Sequence, residues 1–264
     1  MAHASEKTEV KDNSGRHVSW FSCGAPSAVA TKLAISAGLN PKIYYCEVEE
    51  EHPDNQRFLQ DCERWFGVDI EILGNDKYSR STDEVFQKTK FLVGPTGARC
   101  TAELKKTLRW QYGKPDDTII MGYTFGEETR VNRLLKSEPL LDMLPILISR
   151  KLTKSDCLNI IKRAGIKLPR MYELGYRNNN CIGCVKGQAG YWNKIRIDFP
   201  ERFKEMSKIE RQLNRTVCKI EWRENGKRHL KRVFLDELPP DAGKYNSEPD
   251  LECGIFCQQA ELET

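Results

Sequence analysis

The sequence predicts an α/β fold: a doubly wound, mostly parallel sheet with helices on both faces. Short apolar segments alternate with amphipathic ones through the first two thirds of the 264 residues, which is the rhythm of parallel strands joined by covering helices. Beyond residue 170 this alternation fails, and loop-forming residues, one further helix and a hairpin are indicated. We therefore predict a flexible arm over residues 1–17, an α/β domain over 18–170, and a cysteine-containing region over 171–264 that packs on it.

The elements of the predicted α/β domain follow one another in regular order. The apolar segment HVSWFS, from His17, predicts the first strand, and the small residues after it lead into a helix from about Pro26 to Gly38. Three elements come next: the strand KIYYCEV, the helix NQRFLQDCERWFG and the short strand DIEIL. An irregular stretch separates these from three more: the helix TAELKKTLRWQYG, the buried strand TIIMGYT and the strand MLPILI.

The last elements have clear end signals. In LTKSDCLNIIKRAG, Thr153 is a helix N-cap, Cys157 and Ile161 share one apolar face with their neighbours, and Gly165 ends the helix. Next, PERFKEMSKIERQLN predicts an amphipathic helix. The segment CKIEWRENGKRHLKRVFL predicts a hairpin that turns at Asn225 and Gly226, because this dipeptide favours the tight turns between antiparallel strands.

Composition and charge exclude several classes of protein. The formal net charge is +4, from 42 basic and 38 acidic residues, which by itself is too small to indicate a nucleic-acid-binding protein. No apolar run is long enough to cross a bilayer, and no charged-plus-apolar signal segment opens the chain. We expect a soluble cytoplasmic protein without a membrane partner, and a homo-oligomer is left open.

The turn after the first predicted strand is a candidate anion site. It consists of small residues that lead directly into a helix, where unpaired backbone N–H groups and the positive end of the helix dipole favour a phosphate or sulfate. Small side chains let the anion approach closely. An ordinary tight turn of an α/β domain explains the same pattern. The candidate binding residues are Ser22, Cys23, Gly24, Ala25 and Ser27.

Two other strand ends supply candidate ligand residues, because ligands of open parallel sheets bind beyond the carboxyl ends of the strands. Glu47 follows the second strand and can accept hydrogen bonds from a nucleoside. Gly122 and Tyr123 end the TIIMGYT strand, and Arg130 after them can bind a phosphate or sulfate. A solvated loop is the alternative for the acidic stretch at Glu47. Neither the P-loop nor the Gly-rich dinucleotide signature is present.

Apart from Cys23 in the turn after the first strand, the ten cysteines divide into two groups. Four lie in apolar strand or helix patterns and are expected in the core: Cys46, Cys62, Cys157 and Cys218. Five others lie beside glycines and polar residues: Cys100, Cys181, Cys184, Cys253 and Cys257. The CIGC spacing at Cys181 and Cys184 places two sulfurs on one centre, and in a reducing compartment converging thiolates favour zinc or an iron–sulfur cluster over a disulfide. A chance turn with idle tail cysteines is the alternative.

Several motifs in order resemble the phosphoadenosine phosphosulfate reductase family, within the adenine nucleotide α-hydrolase-like superfamily. FSCGAPSAV is similar to the phosphate-binding loop of this family, and EVEEEHPDNQRF and GYTFGEETR are similar to two later segments. The run from LPILISRK to MYELGY is similar to a further family segment. The resemblance covers residues 18 to about 190. It implies an adenine nucleotide as substrate, while the absence of lysine and aspartate from the loop departs from the ATP pyrophosphatases of the superfamily.

The resemblance also assigns roles to the cysteines. In the iron–sulfur branch of these reductases, a tandem cysteine at a helix start and a later CxxC hold the cluster, which matches Cys100, Cys181 and Cys184, with Thr101 in place of the second tandem cysteine. A four-iron, four-sulfur cluster is therefore expected rather than zinc. The nucleophilic cysteine of the branch lies in a carboxy-terminal E-C-G motif, which matches Cys253. Cys253 is thus the nucleophile or the fourth ligand, with Cys257 as the alternative.

Three functions are compatible with these residues. In the first, an enzyme binds an adenylylated sulfur compound, Cys253 attacks its sulfur, and an external thiol protein releases the product. In the second, an ATP-dependent sulfurtransferase modifies DNA or tRNA, with sulfide carried by a cluster that needs only three cysteine ligands. Its nucleic-acid surface would be formed by NGKRHLKR with Lys186, Lys194 and Arg196. In the third, the protein only binds a nucleotide, and a structural metal stabilises its carboxy-terminal third.

Overall fold

The computed structural model describes residues 15–95, 97–251 and 253. Most of the predicted arm, residues 1–14, lies outside the described residues, and so does Cys257. The first strand begins at His17, inside the predicted arm. Arg16 just before it is part of the fold, because its guanidinium donates two hydrogen bonds of 2.8 Å to the carboxylate of the buried Asp117.

A five-stranded parallel sheet forms the centre of the molecule, in the order β3–β2–β1–β6–β7. Ser19 on the central strand lies opposite Ile43 on one side and Ile120 on the other. The strand order reverses between β1 and β6, and this switch point is where doubly wound sheets bind ligands. The strands are β1 (His17–Trp20), β2 (Lys42–Cys46), β3 (Glu71–Leu73), β4 (Val93–Gly94), β5 (Gly97–Ala98), β6 (Thr118–Ile120), β7 (Asp142–Leu144), β8 (Cys218–Glu224) and β9 (Lys227–Val233).

Helices cover both faces of this sheet, so the predicted α/β class is confirmed. They are α1 (Ala25–Ser36), α2 (Asn55–Phe66), α3 (Thr82–Thr89), α4 (Arg99–Thr101), α5 (Thr107–Tyr112), α6 (Glu128–Ser137), α7 (Ile146–Ser149), α8 (Lys154–Arg163), α9 (Arg170–Glu173), α10 (Ala189–Asp198) and α11 (Pro200–Leu213). A π-helical turn (Ala102–Lys106) joins α4 to α5. Within the described residues, none of these helices has the length and apolar character needed to cross a membrane.

Three cores hold the fold together. On one face of the sheet, Phe21 packs with residues of α1, α2 and α8. On the other face, Val18 and Trp20 pack with residues of α5 and α6, because successive side chains of a strand point to opposite faces. The third core joins α3, α10 and α11 to the base of the β8–β9 hairpin, and Cys100, Cys181 and Cys184 pack against it. The predicted core cysteines Cys46, Cys62, Cys157 and Cys218 are all buried.

Several predicted elements are confirmed. A capping box begins α8, in which the Thr153 hydroxyl accepts from the Asp156 backbone N–H and the Asp156 carboxylate accepts from Thr153. Gly165, with φ of 73°, follows the helix. The hairpin turns at Asn225 and Gly226, with φ of 51° and 74°, which are the left-handed conformations that this turn requires.

Other predictions were wrong in detail. The MLPILI segment continues the strand only to Leu144, because Pro145 has no N–H for the ladder and a short helix follows it. The single helix predicted over TAELKKTLRWQYG is interrupted by the π-helical turn. Two helices, α3 and α10, lie in segments for which the sequence pattern predicts irregular or loop-rich structure, and α6 lies in a segment for which no element is predicted.

Candidate active site at the carboxyl edge of the sheet

A cavity of about 430 Å³ lies at the carboxyl ends of β1 and β6. Its wall includes the loop from Ser22 to Ser27 and the segment Gly122 to Glu127, which follow these two strands. Residues distant in sequence complete the wall, including Lys105, Lys154 and Cys253. The cavity therefore occupies the switch point of the sheet, where the strand order indicates a ligand site.

The loop from Ser22 to Ser27 is held by its own hydroxyl groups. The Ser27 hydroxyl accepts hydrogen bonds from the Ser22 backbone N–H (3.2 Å) and the Ser22 hydroxyl (3.0 Å), and it donates to the Gly24 carbonyl oxygen (2.9 Å). Gly24 is the N-cap of α1. The loop is thus shaped before any ligand binds, and the positive end of the α1 dipole points toward the cavity edge.

The loop after β6 lies directly on the first turn of α1. A Cβ atom built at Gly122 would be 2.5 Å from the Ser27 backbone nitrogen and 2.8 Å from the Pro26 carbonyl carbon, so only glycine permits this approach. From α9, the Tyr172 hydroxyl accepts a hydrogen bond from the Ala25 backbone N–H (3.3 Å). Burial raises the pKa of Tyr172 to about 12, so the phenol is neutral at physiological pH.

Three cationic side chains line the cavity. Arg130 forms an ion pair with Glu127 (2.8 Å), and its guanidinium lies 4.8 Å from the centre of the Tyr123 ring. Lys154 donates hydrogen bonds to the Asn178 side-chain oxygen (2.6 Å) and the Asp250 carboxylate (3.0 Å). The third cation, Lys105, lies beside Cys253, which also lines the cavity.

Four thiols lie near one another beside Lys105, and one of them, Cys253, lines the cavity. Cys100, Cys181 and Cys184 each interact electrostatically with Cys253, and the Cys253 sulfur lies 3.6 Å from the Thr101 hydroxyl. Burial raises the pKa values of the first three thiols, that of Cys184 to about 11. Burial acts in the same direction on Cys253, but the charges of Lys105 and Lys186 outweigh it, so the pKa of Cys253 lies below its usual value.

Lys105 owes its position to the π-helical turn, since π turns displace side chains from the regular helical face. Its ammonium lies 3.4 Å from the carboxylate of the buried Glu51. Glu51 also accepts hydrogen bonds from the Tyr45 hydroxyl (2.6 Å) and the Asn55 side-chain amide (2.8 Å). Burial lowers the pKa of Lys105, but the nearby thiols and Glu51 overcome this effect and raise it well above the usual value.

The phosphoadenosine phosphosulfate reductase domain model matches residues 16–189, about two thirds of the chain. The chain belongs to the phosphoadenosine phosphosulfate reductase family. Its members bind adenine nucleotides, and the matched residues include the loop after β1, the loop after β6 and the CxxC pair. No curated protein and no solved structure matches this sequence significantly.

Most of the predicted nucleotide-binding residues of this family member meet at the cavity. Ser22, Gly24, Ser27, Gly122, Tyr123 and Arg130 all line it. Ala25 lies just behind the wall, where its backbone N–H contacts Tyr172. Two predicted residues are placed elsewhere. The Cys23 thiol is buried with its pKa raised well above the usual value by burial, and Glu47 forms an ion pair with Arg80.

Sequence reasoning missed the residues that hold the carboxy-terminal segment across the cavity. The Leu251 carbonyl oxygen accepts hydrogen bonds from the side-chain amides of Asn178 (2.8 Å) and Asn180 (2.6 Å). The Asp250 carboxylate binds both Lys154 (3.0 Å) and Arg177 (2.8 Å). The run of polar residues RNNN before the CxxC pair was the available signal, because it is unusual for a simple loop to place three amides in succession.

Two buried polar atoms on residues that line the cavity have no hydrogen-bond partner among the described residues. They are the Trp20 indole nitrogen and the Asn179 side-chain oxygen. The Asn179 amide nitrogen is bound to the Cys23 carbonyl oxygen (2.7 Å) and to Asn55 (2.8 Å), which fixes the orientation of the side chain. An uncommitted donor and acceptor at one cavity are typical of a polar ligand site.

The thiols are neighbours without forming a preassembled metal site. Among residues 15–95, 97–251 and 253, no group of three or more His, Cys, Asp or Glu side chains is arranged to hold a metal ion. The donor set is nevertheless purely sulfur: Cys100, Cys181, Cys184 and Cys253. Sulfur donors suit zinc and iron–sulfur clusters and exclude a magnesium or calcium site.

Proposed function

We propose that the protein is an enzyme that binds an adenylylated sulfate in the cavity and transfers its sulfur to Cys253. The observation that carries this proposal is that the loop from Ser22 to Ser27 lines the same cavity as Cys253 and Lys105. A nucleotide whose anionic group lies at the loop would extend toward a thiol. The family match supports a sulfur-carrying adenine nucleotide as the substrate class.

The binding part of the proposal uses groups at the cavity wall. The amino end of α1 and the cations Lys154 and Arg130 would neutralise the phosphosulfate. Phe125 lines the cavity with 47% of its surface exposed, and its ring offers the adenine a stacking surface. Trp20 and Asn179 would complete the polar recognition through their unpartnered atoms.

The chemical step is a nucleophilic substitution at sulfur. The Cys253 thiolate attacks the sulfate sulfur, an S–S bond forms, and the bond from this sulfur to the phosphate oxygen breaks, so the nucleotide leaves as a phosphate anion. Lys105 stabilises the negative charge at the thiolate and at the transferred group. An external dithiol protein then attacks the Cys253 sulfur, sulfite is released, and a second thiol of that protein completes a disulfide and restores Cys253.

The thiols beyond Cys253 fit an iron–sulfur cluster. Cys100, Cys181 and Cys184 would hold it, with Cys253 as the alternative fourth ligand near Thr101. Cysteine thiolates are the usual ligands of iron–sulfur clusters. When bound, the cluster would tune the electrostatic field at the transferred group.

Anaerobic purification tests the cofactor, and titration calorimetry tests the nucleotide. We expect a coloured protein with iron and acid-labile sulfide, and tighter binding of an adenosine phosphosulfate than of ATP. Sulfite production with a dithiol reductant would complete the proposal. A colourless protein that contains zinc and binds nucleotide without turnover would contradict it and favour a binding protein with a structural metal.

A second candidate function is an ATP-dependent sulfurtransferase that modifies a nucleic acid. The observation that favours it is the position of Thr101 beside Cys253. The iron–sulfur reductases carry a second tandem cysteine where this chain has Thr101. If Cys253 is not a ligand, only three cysteines are left to hold a cluster, as this function requires. In this case ATP would be the nucleotide. Pyrophosphate release from ATP that depends on added DNA or tRNA would establish this function, and its absence would exclude it.

A further inference from the structure

The β8–β9 hairpin concentrates the positive charge of the chain. Its residues 218–233 include six Lys or Arg and two Glu, a surplus of four, which equals the formal net charge of +4 of the whole chain. The rest of the protein is therefore balanced in charge. The hairpin sequence alone is compatible with a solvated face. The register of the two strands shows, in addition, which charged side chains lie opposite each other.

Like charges face each other directly across the two strands. Lys219 lies opposite Arg232, and Arg223 lies opposite Arg228, on the same face of the ribbon. Such pairs destabilise an antiparallel ladder. The acidic residue on this face, Glu221, binds Arg228 at 2.8 Å. Four cations on one face are thus offset by a single carboxylate, an arrangement suited to an anionic partner.

The ribbon projects from a firmly held base. Cys218 and Val233, at its two inner ends, are buried in the third core. The buried carboxylate of Glu210 accepts hydrogen bonds from the backbone N–H groups of Val217 and Leu235, both at 2.6 Å, and so fixes both strands at their origin. From Glu221 outward nearly every side chain is exposed. The base is therefore ordered while the outer part is available to a partner.

The ribbon carries cations and large apolar side chains on both faces. Lys227 and Lys231 lie on the face opposite the four cations, together with Trp222, which stacks on His229 with ring centres 5.2 Å apart. Trp222 is 41% exposed, and Leu230 on the other face is 55% exposed. A ligand that contacts only one face of the ribbon would leave the cationic and apolar side chains of the other face without a partner. A groove with two anionic walls would contact both faces.

We propose that the β8–β9 hairpin is a docking surface for duplex DNA. The major groove of B-form DNA admits a two-stranded β-ribbon, and its two phosphate walls complement cations on both faces. Duplex RNA is disfavoured because its major groove is too deep and narrow for side chains to read. This inference rests on the hairpin alone and is independent of the sulfur chemistry proposed above.

The test is the binding of a fluorescent mixed-sequence DNA duplex to the full chain, measured by anisotropy at several salt concentrations. The test variant is Lys219→Glu with Arg223→Glu, which places carboxylates opposite Arg232 and Arg228 and so strengthens the hairpin pairing. Weaker binding by this variant therefore cannot result from an unfolded hairpin. The matched control is Lys162→Glu with Arg163→Glu, the same charge change on exposed residues of α8.

We expect the test variant to bind the duplex at least about tenfold more weakly, with a salt slope reduced by about 0.9 for each phosphate that the hairpin no longer neutralises. The control should bind like the unaltered protein. An equal weakening in both variants would show an effect of net charge and overturn the proposal. Equal affinity for the single strand, or equally effective competition by polyglutamate, would also overturn it, whatever the result for nucleotide turnover.

Discussion

Two regions of the cavity wall are built in different ways: the loop from Ser22 to Ser27, called the loop end, and the region around Cys253, called the thiol end. The loop end comes from one short segment, Ser22 to Ser27, whose hydroxyl groups bind its own backbone. The thiol end is assembled from a helix start, a CxxC loop and the carboxy-terminal segment, more than 150 residues apart along the chain. A site built locally is shaped by short-range contacts, whereas the thiol end depends on long-range contacts that a few side chains provide.

The largest expected effect is that of Cys253→Ser, which should abolish the reaction and leave nucleotide binding intact. Cys253→Ser should reduce sulfite formation by more than about 10³-fold, since a serine hydroxyl cannot form the S–S bond. Nucleotide affinity, measured by calorimetry, should stay nearly unchanged because the loop end is intact. Cys46→Ser is the control, since Cys46 lines the same cavity but is a buried core residue. Turnover retained in Cys253→Ser would remove this residue from the reaction.

Replacing Lys105 or Lys154 by methionine removes one positive charge in each case, so the two variants compare the thiol end with the loop end. Lys105→Met should lower turnover by about 10²-fold, because the cation beside Cys253 stabilises charge in the reaction. Lys154→Met should mainly weaken nucleotide binding, since Lys154 lines the cavity and binds Asn178 and Asp250 rather than a thiol. Steady-state kinetics would separate the two effects. Identical changes in kcat and KM for both variants would contradict a division of roles.

The loop end can be disturbed without touching a polar side chain. Gly122→Ala places a methyl group 2.5 Å from the Ser27 backbone nitrogen, and the resulting shift should cost about 1–3 kcal/mol. Both the melting temperature and the nucleotide affinity should fall. Gly24→Ala is the control for stability, because its methyl group would meet the Tyr172 hydroxyl at 3.3 Å and the Ser22 hydroxyl at 3.7 Å, without a backbone clash. An unchanged Gly122→Ala protein would refute the close approach of the two loops.

The smallest effect concerns the long-range contacts of the thiol end. Replacing Asn178 and Asn180 by alanine removes two hydrogen bonds to the Leu251 carbonyl oxygen, each contributing about 1 kcal/mol. Hydrogen exchange of residues 248–251 should accelerate while the rest of the fold stays protected. The exposed Asn132→Ala on α6 provides the control. Unchanged exchange would show that other contacts hold the segment.

The features that could be predicted from the sequence are those that depend on short-range contacts, and the features that could not be predicted depend on long-range ones. The turn after β1, the N-cap at Thr153 and the hairpin turn at Asn225 are local patterns, and each was predicted from neighbouring residues. Lys105 was not predicted as a site residue, because it lies in a π-helical turn within a segment of ordinary helical periodicity. The pairing of Asn178 with Leu251 spans 73 residues, and no spacing rule connects them.

Residues at strand ends show the limit of inference from topology. Gly122 and Glu47 both follow parallel strands, yet of the two only Gly122 lines the cavity, although Tyr45 and Cys46 of β2 line it just before Glu47. The Glu47 carboxylate instead pairs with Arg80. The joint role of Cys100 and the CxxC pair stays a prediction from the family resemblance, and the Cys100 thiol interacts electrostatically with Cys184 and Cys253.

The central claim is that a sulfur-carrying nucleotide reaches Cys253 from the loop end. The most direct measurement is mass spectrometry of the anaerobic protein after incubation with an adenosine phosphosulfate and no thiol reductant. We expect one added sulfonate group per chain, located on Cys253 and removed by a dithiol. A sulfonate on another cysteine, or none on a protein that still turns over the nucleotide, would contradict this claim.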